Sequence, residues 1–450
     1  MSHQNIPAEL GTERIGKLLR QYAIPAIIAM TAVSLYNMVD SIYIGHGVGA
    51  LAISGLAVTF PFMNISAAFG TLVGIGASTL LSVKLGQKDY VSAQKVFGNL
   101  IVFNIIIGVL FMVVSLLYLD PILYFFGAGE QTISYAREYM VIILLGNTFT
   151  HLYFGLNNIL RASGHPQKAM TLTITTVLLN TLLDPLFIFV FKWGVQGAAI
   201  ATVLSQLIAL VWQTQIFNNK KTLLHIDKGL FKIDLRLAKD MFAIGLSPFL
   251  MNVASCFIVI LFNNEMKKHG GELAIGAFGI VNRYSFMFVM IVMGLNQGMQ
   301  PIAGYNYGAR HIARVLEVLR LTIFFATIVT TTSFLCGELF SEQVARIFTS
   351  DRELIGLSVY GLRITVILFP LIGAQIVIAN FFQSIGMAGK AIILSLTRQV
   401  FVLIPCLLFL PKFFGVTGVW SSGPVSDFVA CVVSTGMLFY QIKKLKSEQL

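Results

Sequence analysis

Three carboxylates stand where an apolar sequence would not be expected to put them: Asp40, Asp184 and Asp427 each lie inside a long hydrophobic run. An ionised carboxylate in hydrocarbon is costly enough that it marks a working site by default. Asp40 has Tyr36 four positions before it, and Asp184 has Asn180 four positions before it. Helical residues four apart share a face, so each acid carries a polar companion. Two carboxyls with amide and phenol partners, if brought together at low dielectric, form a site for a proton or for a monovalent cation such as sodium at Asp40, Asn180 and Asp184. The competing reading is a hydrogen-bonded knot that only ties helices together. Asp427 differs, because Arg283, Arg363 and Arg398 occupy apolar runs of the same half of the chain, which favours a structural charge network. Met287, Met290 and Met293 recur at a spacing of three. Flexible thioethers suit a surface that accepts many shapes, with core packing as the plainer alternative.

The elements that must position these residues follow from composition. Hydrophobic residues make up 56% of the chain and charged residues 11%, with a mean hydropathy of +0.80. A bilayer core of about 30 Å takes roughly 20 apolar residues per helix, and the sequence offers twelve such runs: 18–44, 50–82, 96–119, 133–161, 168–191, 194–217, 239–264, 273–304, 316–338, 355–384, 390–411 and 416–442. A transmembrane barrel would show short strands of alternating polarity, whereas residues 100–119 are continuously apolar. The expected fold is therefore an all-α membrane protein. Residues 1–17 are polar and lead into a run that holds Asp40 and has no small-residue cleavage site, so no removable signal peptide is expected.

The net charge of +11 does not indicate nucleic acid, because the basic residues sort by side of the membrane rather than into a basic domain. With the N-terminus inside, 21 Lys and Arg residues fall inside and 7 outside, which places both termini in the cytoplasm. Cys256, Cys336, Cys406 and Cys431 are scattered singly without metal-ligand spacing and are read as apolar thiols.

An internal repeat sets the architecture. Residues 51–58, LAISGLAV, reappear as LAIGAFGI at 273–280, a shift of 222. Gly86 maps to Gly308, Gly164 to Gly386 and Lys168 to Lys390 at the same shift, while residues 194–197 match 415–418 and Pro25 matches Pro248. Each half holds an even number of runs, so the repeats are parallel, related by an axis along the membrane normal. The expected domains are a six-helix lobe over 1–217, a basic cytoplasmic linker over 218–238 and a second six-helix lobe over 239–450. Gly70 and Gly74 fit a close helix contact. Pro25, Pro61, Pro185, Pro248, Pro370 and Pro405 are expected to kink their helices.

Enzymatic chemistry is not in evidence. Residues 387–390, MAGK, end in Gly-Lys but lack the preceding strand and glycine of a phosphate-binding loop, and no metalloprotease or nucleophile-elbow motif occurs. No cofactor is expected, and neither is an enzyme.

Several segments together resemble the multidrug and toxic compound extrusion (MATE) transporters over essentially the full chain: residues 37–45 (NMVDSIYIG), 85–93 (LGQKDYVSA), 160–164 (LRASG), 180–188 (NTLLDPLFI) and 197–206 (GAAIATVLSQ). The resemblance implies a twelve-helix antiporter with a central cleft between two lobes, expelling amphiphilic organic cations against protons or sodium. It also implies a coupling site in the N-terminal lobe on the first, fourth, fifth and sixth helices. At matching positions this comprises Asp40, Asp184, Asn180 and Thr202, with Tyr36, Tyr139 and Asn157. Some family members carry coupling acids on the seventh and tenth helices, but residues 249–262 and 373–382 contain none here. The expectation is thus a monomeric multidrug exporter in the bacterial cytoplasmic membrane, with amphiphilic cations and the bilayer as partners and no nucleic acid. The alternatives are a flippase for lipids or lipid-linked precursors and, in another class, a channel or a receptor that transports nothing. The topology carries a test: a cysteine placed at Lys228 is expected to resist an impermeant thiol reagent applied outside intact cells, and labelling there would reverse the assigned orientation.

Overall fold

The structure, a computed structural model, describes residues 9–48, 50–220, 222–227, 229 and 232–447; Lys221 and Lys228 of the basic linker lie outside the described residues. Among these, every regular element is helical, as it must be where no water is available to satisfy an open strand edge. Eight helical runs are long and apolar enough to cross a membrane, and a bend of 54° joins Arg352–Val366 to Phe369–Ser384 as a further broken span. Two runs are double. Leu235–Gly308 breaks at Gly271, where φ is 75°, and the chain folds back so that Phe262 stacks on Phe278 at 4.8 Å. Ile404–Ser447 breaks at Gly415, where φ is 57°. With Ile312–Leu339, the chain makes twelve passes.

They are numbered in order: α1 (Ile15–Gly47), α2 (Ala50–Gly86), α3 (Tyr90–Leu117), α4 (Ile133–Ala162), α5 (Pro166–Pro185) and α6 (Gly194–Phe217). Next come α7 and α8, the two arms of Leu235–Gly308, then α9 (Ile312–Leu339) and α10, the bent pair. Finally α11 runs from Ala388 through a π-helical stretch, Thr397–Leu403, to the break at Gly415, beyond which lies α12. Local chemistry sets the starts. Asp89 accepts the amide of Ser92 at 3.1 Å to cap α3, and Pro166 opens α5, where a missing N–H costs nothing.

The repeat is written in the backbone. Left-handed residues stand at Lys88 and Arg310 (φ 59° and 60°), at Gly164 and Gly386 (95° and 76°) and at Gly194 and Gly415 (55° and 57°). The two halves therefore break their helices at matching places, twice at the 222-residue offset. A lysine and an arginine in this region are uncommon enough that the match reflects a shared template.

Two compact units result, but their limits are not those of the repeat. One gathers Ile28–Phe249 and the other gathers Glu13–Ile27 with Leu250 onward. The beginning of α1 thus packs with the second unit and the beginning of α7 with the first. Division by repeat would end the first lobe at residue 217; packing instead carries the linker and fifteen residues of α7 into it. Glycines make the exchange fit. A Cβ on Gly76 would run into the carbonyl of Met241, and one on Gly245 into the carbonyl of Leu72. In the second unit a Cβ on Gly298 would stand 2.6 Å from the Ala23 Cα, and one on Gly294 would stand 2.7 Å from the Ile27 Cα. Gly76 and Gly298 are themselves 222 positions apart. Gly74 makes a gentler contact, with a Cβ coming within 3.4 Å of the Gly155 Cα on α4.

The linker is fixed to the first unit by two side-chain amides. Gln94 donates to the His225 carbonyl and accepts from its N–H at 3.4 Å. Asn99 does the same with Asp234, at 2.8 and 3.0 Å.

Gly76→Ala and Gly245→Ala are expected to destabilise the protein by about 1–3 kcal/mol each through overpacking. Gly436→Ala, with open space around the new methyl, is expected to be neutral or slightly stabilising. Thermal unfolding in detergent compares the three, and equal melting temperatures would mean that the half-helix contact is not tight.

Candidate functional site

The acid on α5 is positioned by its own helix and by a close neighbour. Asn180 and Asp184 lie on one buried face of α5. Pro185 follows, with no N–H to give the carbonyl of Thr181, and the chain continues as a π-helical turn, Leu186–Val190. Gly197 lets α6 approach: a Cβ there would meet the Phe187 carbonyl carbon at 2.9 Å. That approach brings Thr202 on α6 beside Asn180.

The result is one directed chain of hydrogen bonds. With its amide nitrogen toward the acid, Asn180 donates to Asp184 Oδ2 at 3.0 Å and accepts from Thr202 Oγ1 at 3.2 Å. The Thr202 hydroxyl in turn lies 3.2 Å from the Tyr36 hydroxyl of α1. Asp184 is fully buried and Asp40 is 8% exposed, and their carboxyl groups are within hydrogen-bonding reach of one another. Two carboxyls can make that bond only by sharing a proton. Asp40 Oδ1 has no partner among the described residues. Tyr139 on α4 is buried close enough to Asp40, Tyr36 and Asp184 to interact with them electrostatically. Carboxylate, amide and hydroxyl oxygens around one point form a donor set for a proton or a hard monovalent cation; among the described residues no cluster of three His, Cys, Asp or Glu side chains occurs.

Six of the seven residues expected for this site are therefore gathered, and Asn157 is not. Asn157 lies at the other end of α4, donating to the Ala169 carbonyl at 3.0 Å and to Thr173 Oγ1 at 3.3 Å while accepting from Arg161 at 3.0 Å. Met287 on α8 is 54% exposed, with Met290 and Met293 half-buried further along the helix. In the second unit Asp427 is buried and receives Arg398 Nε at 2.7 Å. Among the described residues the expected wider network does not form: Arg363 bonds Ser341 at 3.2 Å and Arg283 is exposed.

Two buried polar groupings escaped the sequence reading. Ser66 on α2 donates to Asn147 Oδ1 at 2.5 Å, and its carbonyl lies 3.0 Å from His151 Nε2. Tyr153 lies near Thr173 and Thr176. The second was visible as a stripe, since residues 173, 176, 180 and 184 follow one face of α5; the first carries no spacing that apolar helices would not also produce.

Comparison with known proteins gives the family. The MatE family profile matches residues 25–186 and 244–408, and the chain belongs to that family. It is similar to the multidrug export protein MepA of Staphylococcus aureus (strain MSSA476), 27% identical over 427 residues, covering 95% of this chain and 94% of the relative. The MepA of Staphylococcus haemolyticus (strain JCSC1435) is 28% identical, with 90% of each covered. Among solved structures, the MATE multidrug transporter DinF-BH is 37% identical, with 96% of each chain covered and a TM-score of 0.89. An outward-facing multidrug resistance MATE family transporter of the MOP superfamily shares the fold, with a TM-score of 0.93 at 24% identity over 99% of this chain and 100% of that one. The protein is thus a multi-pass membrane transporter and not an enzyme.

Asp427→Asn is expected to destabilise the protein by about 3 kcal/mol, because it strands a guanidinium without its counter-charge, and Asp427→Asn with Arg398→Gln is expected to recover most of the loss. Melting curves of both variants decide the matter. A wild-type melting temperature for Asp427→Asn alone would show that the pair contributes nothing.

Proposed function

We propose that the chain exports amphiphilic organic cations in exchange for protons or sodium ions, by alternating access, as a monomer in the bacterial cytoplasmic membrane with both termini in the cytoplasm. The observation that carries this reading is the Asp40–Asp184 pair in its cage of Tyr36, Tyr139, Asn180 and Thr202. An ion drives transport only if it binds one conformation better than another, and a carboxyl pair on two different helices supplies that difference. With both groups ionised they repel across the α1–α5 contact; with one proton or one cation between them they hold it closed. The names of the relatives, a multidrug export protein and a multidrug transporter, support multidrug cargo. Transport powered without nucleotide is supported by the absence from the sequence of a phosphate-cradling loop. The flippase alternative needs an open cationic surface for phosphate, and it is disfavoured because Arg398 is taken by Asp427 and Arg363 by Ser341, which leaves the exposed Arg283 as the one of the three with no such partner among the described residues.

Asp40→Asn and Asp184→Asn keep side-chain volume and hydrogen-bonding capacity while removing the titratable charge. Each is expected to retain membrane insertion and drug affinity and to lose gradient-driven efflux by at least about a hundredfold, the effect of some 3 kcal/mol. Efflux of a fluorescent cation from vesicles under separately imposed proton and sodium gradients measures this and identifies the ion. Wild-type efflux in both variants would remove the pair from coupling.

A further inference from the structure

We propose that a polar seam between α4, α5 and α6 carries the proton leaving the Asp40–Asp184 pair to the far end of α4, and that Arg161 stands at that end as an electrostatic stop against leak; the inference rests on the proton-coupled form of the function above. From Asp184 the buried face of α5 presents Asn180, Thr176 and then Thr173 at steps of four, four and three, a single stripe about 16 Å long. Across from it on α4, the hydroxyl of Tyr153, itself 3% exposed, is within reach of Thr176 and Thr173. Asn157 takes up the line one turn further on, 3.3 Å from Thr173 Oγ1. Arg161 ends it, bonding Asn157 Oδ1 at 3.0 Å and the amide oxygen of Asn158. On the third wall Gln213 of α6 is fully buried and donates to the Tyr153 carbonyl at 3.2 Å, while its Oε1 has no partner among the described residues.

A stripe of hydroxyls and amides down the middle of three packed helices is costly unless each group is satisfied. An orphaned amide oxygen in such a place is the usual mark of bound water. Hydroxyls and water relay a proton by accepting it on one lone pair and releasing their own. The one-turn step between Asn180 and Thr176, whose hydroxyl donates to the Leu172 carbonyl at 2.9 Å, would take a water to cross. The proton is lost by the carboxyl pair, which is left ionised, and is gained by the solution beyond Arg161. No other reactant is needed.

Arg161 explains why such a seam need not short-circuit the gradient. Its partners are the neutral amides of Asn157 and Asn158, and among the described residues no carboxylate pairs with it. A guanidinium without a counter-ion keeps an uncompensated positive charge, and it repels hydronium as arginines do in pores that exclude protons. The titratable groups along the route are Asp40, Asp184, Tyr36 and Tyr139 at one end and Tyr153 with Arg161 at the other.

The experiment uses the full-length protein in proteoliposomes loaded with a pH-sensitive dye, under an imposed proton gradient and without drug. R161Q is expected to leak protons at least tenfold faster than wild type, and R161K at the wild-type rate. T173V/T176V is expected to lower gradient-driven efflux at least tenfold with unchanged drug affinity, and, when added to R161Q, to abolish the extra leak, which a merely structural role would not do. Wild-type leak in R161Q, leak in R161Q that survives T173V/T176V, wild-type efflux in T173V/T176V, or export driven by sodium alone would each overturn the seam. Failure of the coupling site itself is separable: wild-type efflux in D184N sinks the coupling reading, whereas a dead D184N beside an unaltered R161Q leak sinks only the seam.

Discussion

The cost of holding two carboxyl groups side by side away from water is the constraint around which the first unit is arranged. Each acid would lose several kcal/mol of hydration if left bare, and the neighbouring side chains answer that loss without neutralising it. Asn180 meets Asp184 with its amide dipole and is backed by Thr202, while Tyr36 and Tyr139 close the surroundings. No lysine or arginine forms an ion pair with either acid among the described residues. Under the proposed function, that leaves the charge open to a mobile counter-ion. The second unit solves the same problem the other way: Asp427 is met by a permanent guanidinium at 2.7 Å, and residues 403–407, around the place where the repeat would put a second Asp184, hold no acid. Two halves folded on one template thus differ in whether a buried acid is met by a fixed cation or by neutral dipoles.

What the sequence made legible follows from the physics that writes into sequence. Apolar runs count helices because the bilayer sets their length. The repeat could be read through Gly, Lys and Pro because those residues mark backbone breaks, and the structure puts left-handed conformations at Lys88 and Arg310 and at Gly164 and Gly386. The acids stood out because their surroundings did not. The exchange of half-helices was not legible: whether Ala23 packs against Gly298 or elsewhere depends on which apolar surfaces meet, and apolar surfaces carry no address. Asn157 was drawn toward the acids by resemblance, yet helical rise alone separates it from Tyr139 by 18 residues, about 27 Å. Arg363 looked like a partner for Asp427 on composition; its helix instead presents it to Ser341, since a long side chain reaches for the nearest polar group.

The exchange also gives the prolines a meaning beyond a bend. Pro25 stands two residues before the limit of the second unit at Ile27, and Pro248 one residue before the limit of the first at Phe249. In each case a ladder hydrogen bond is missing close to where one helix passes from one packed body to the other. A proline there removes one rung of the helix ladder and so lowers the cost of a local bend where the helix changes packing partners.

Magnitudes decide whether one ion at one pair suffices to bias such a motion. Two like charges about 4 Å apart at an effective dielectric of about 20 repel by roughly 4 kcal/mol, and a proton or cation that neutralises one of them removes that term. At about 1.4 kcal/mol per tenfold, the population ratio of two arrangements that differ in the separation of the acids shifts by nearly a thousandfold. Turning a two-state equilibrium fully over takes about 5.5 kcal/mol, so under the proposed function the pair would supply most of the swing and the hydrogen bonds of Asn180, Thr202 and Tyr36 would need to contribute only about 1–2 kcal/mol, the ordinary worth of one or two such bonds. The neutral character of those partners is what makes the sum work: a fixed cation beside Asp184 would have removed the repulsion permanently, and the ion would then have had nothing left to change.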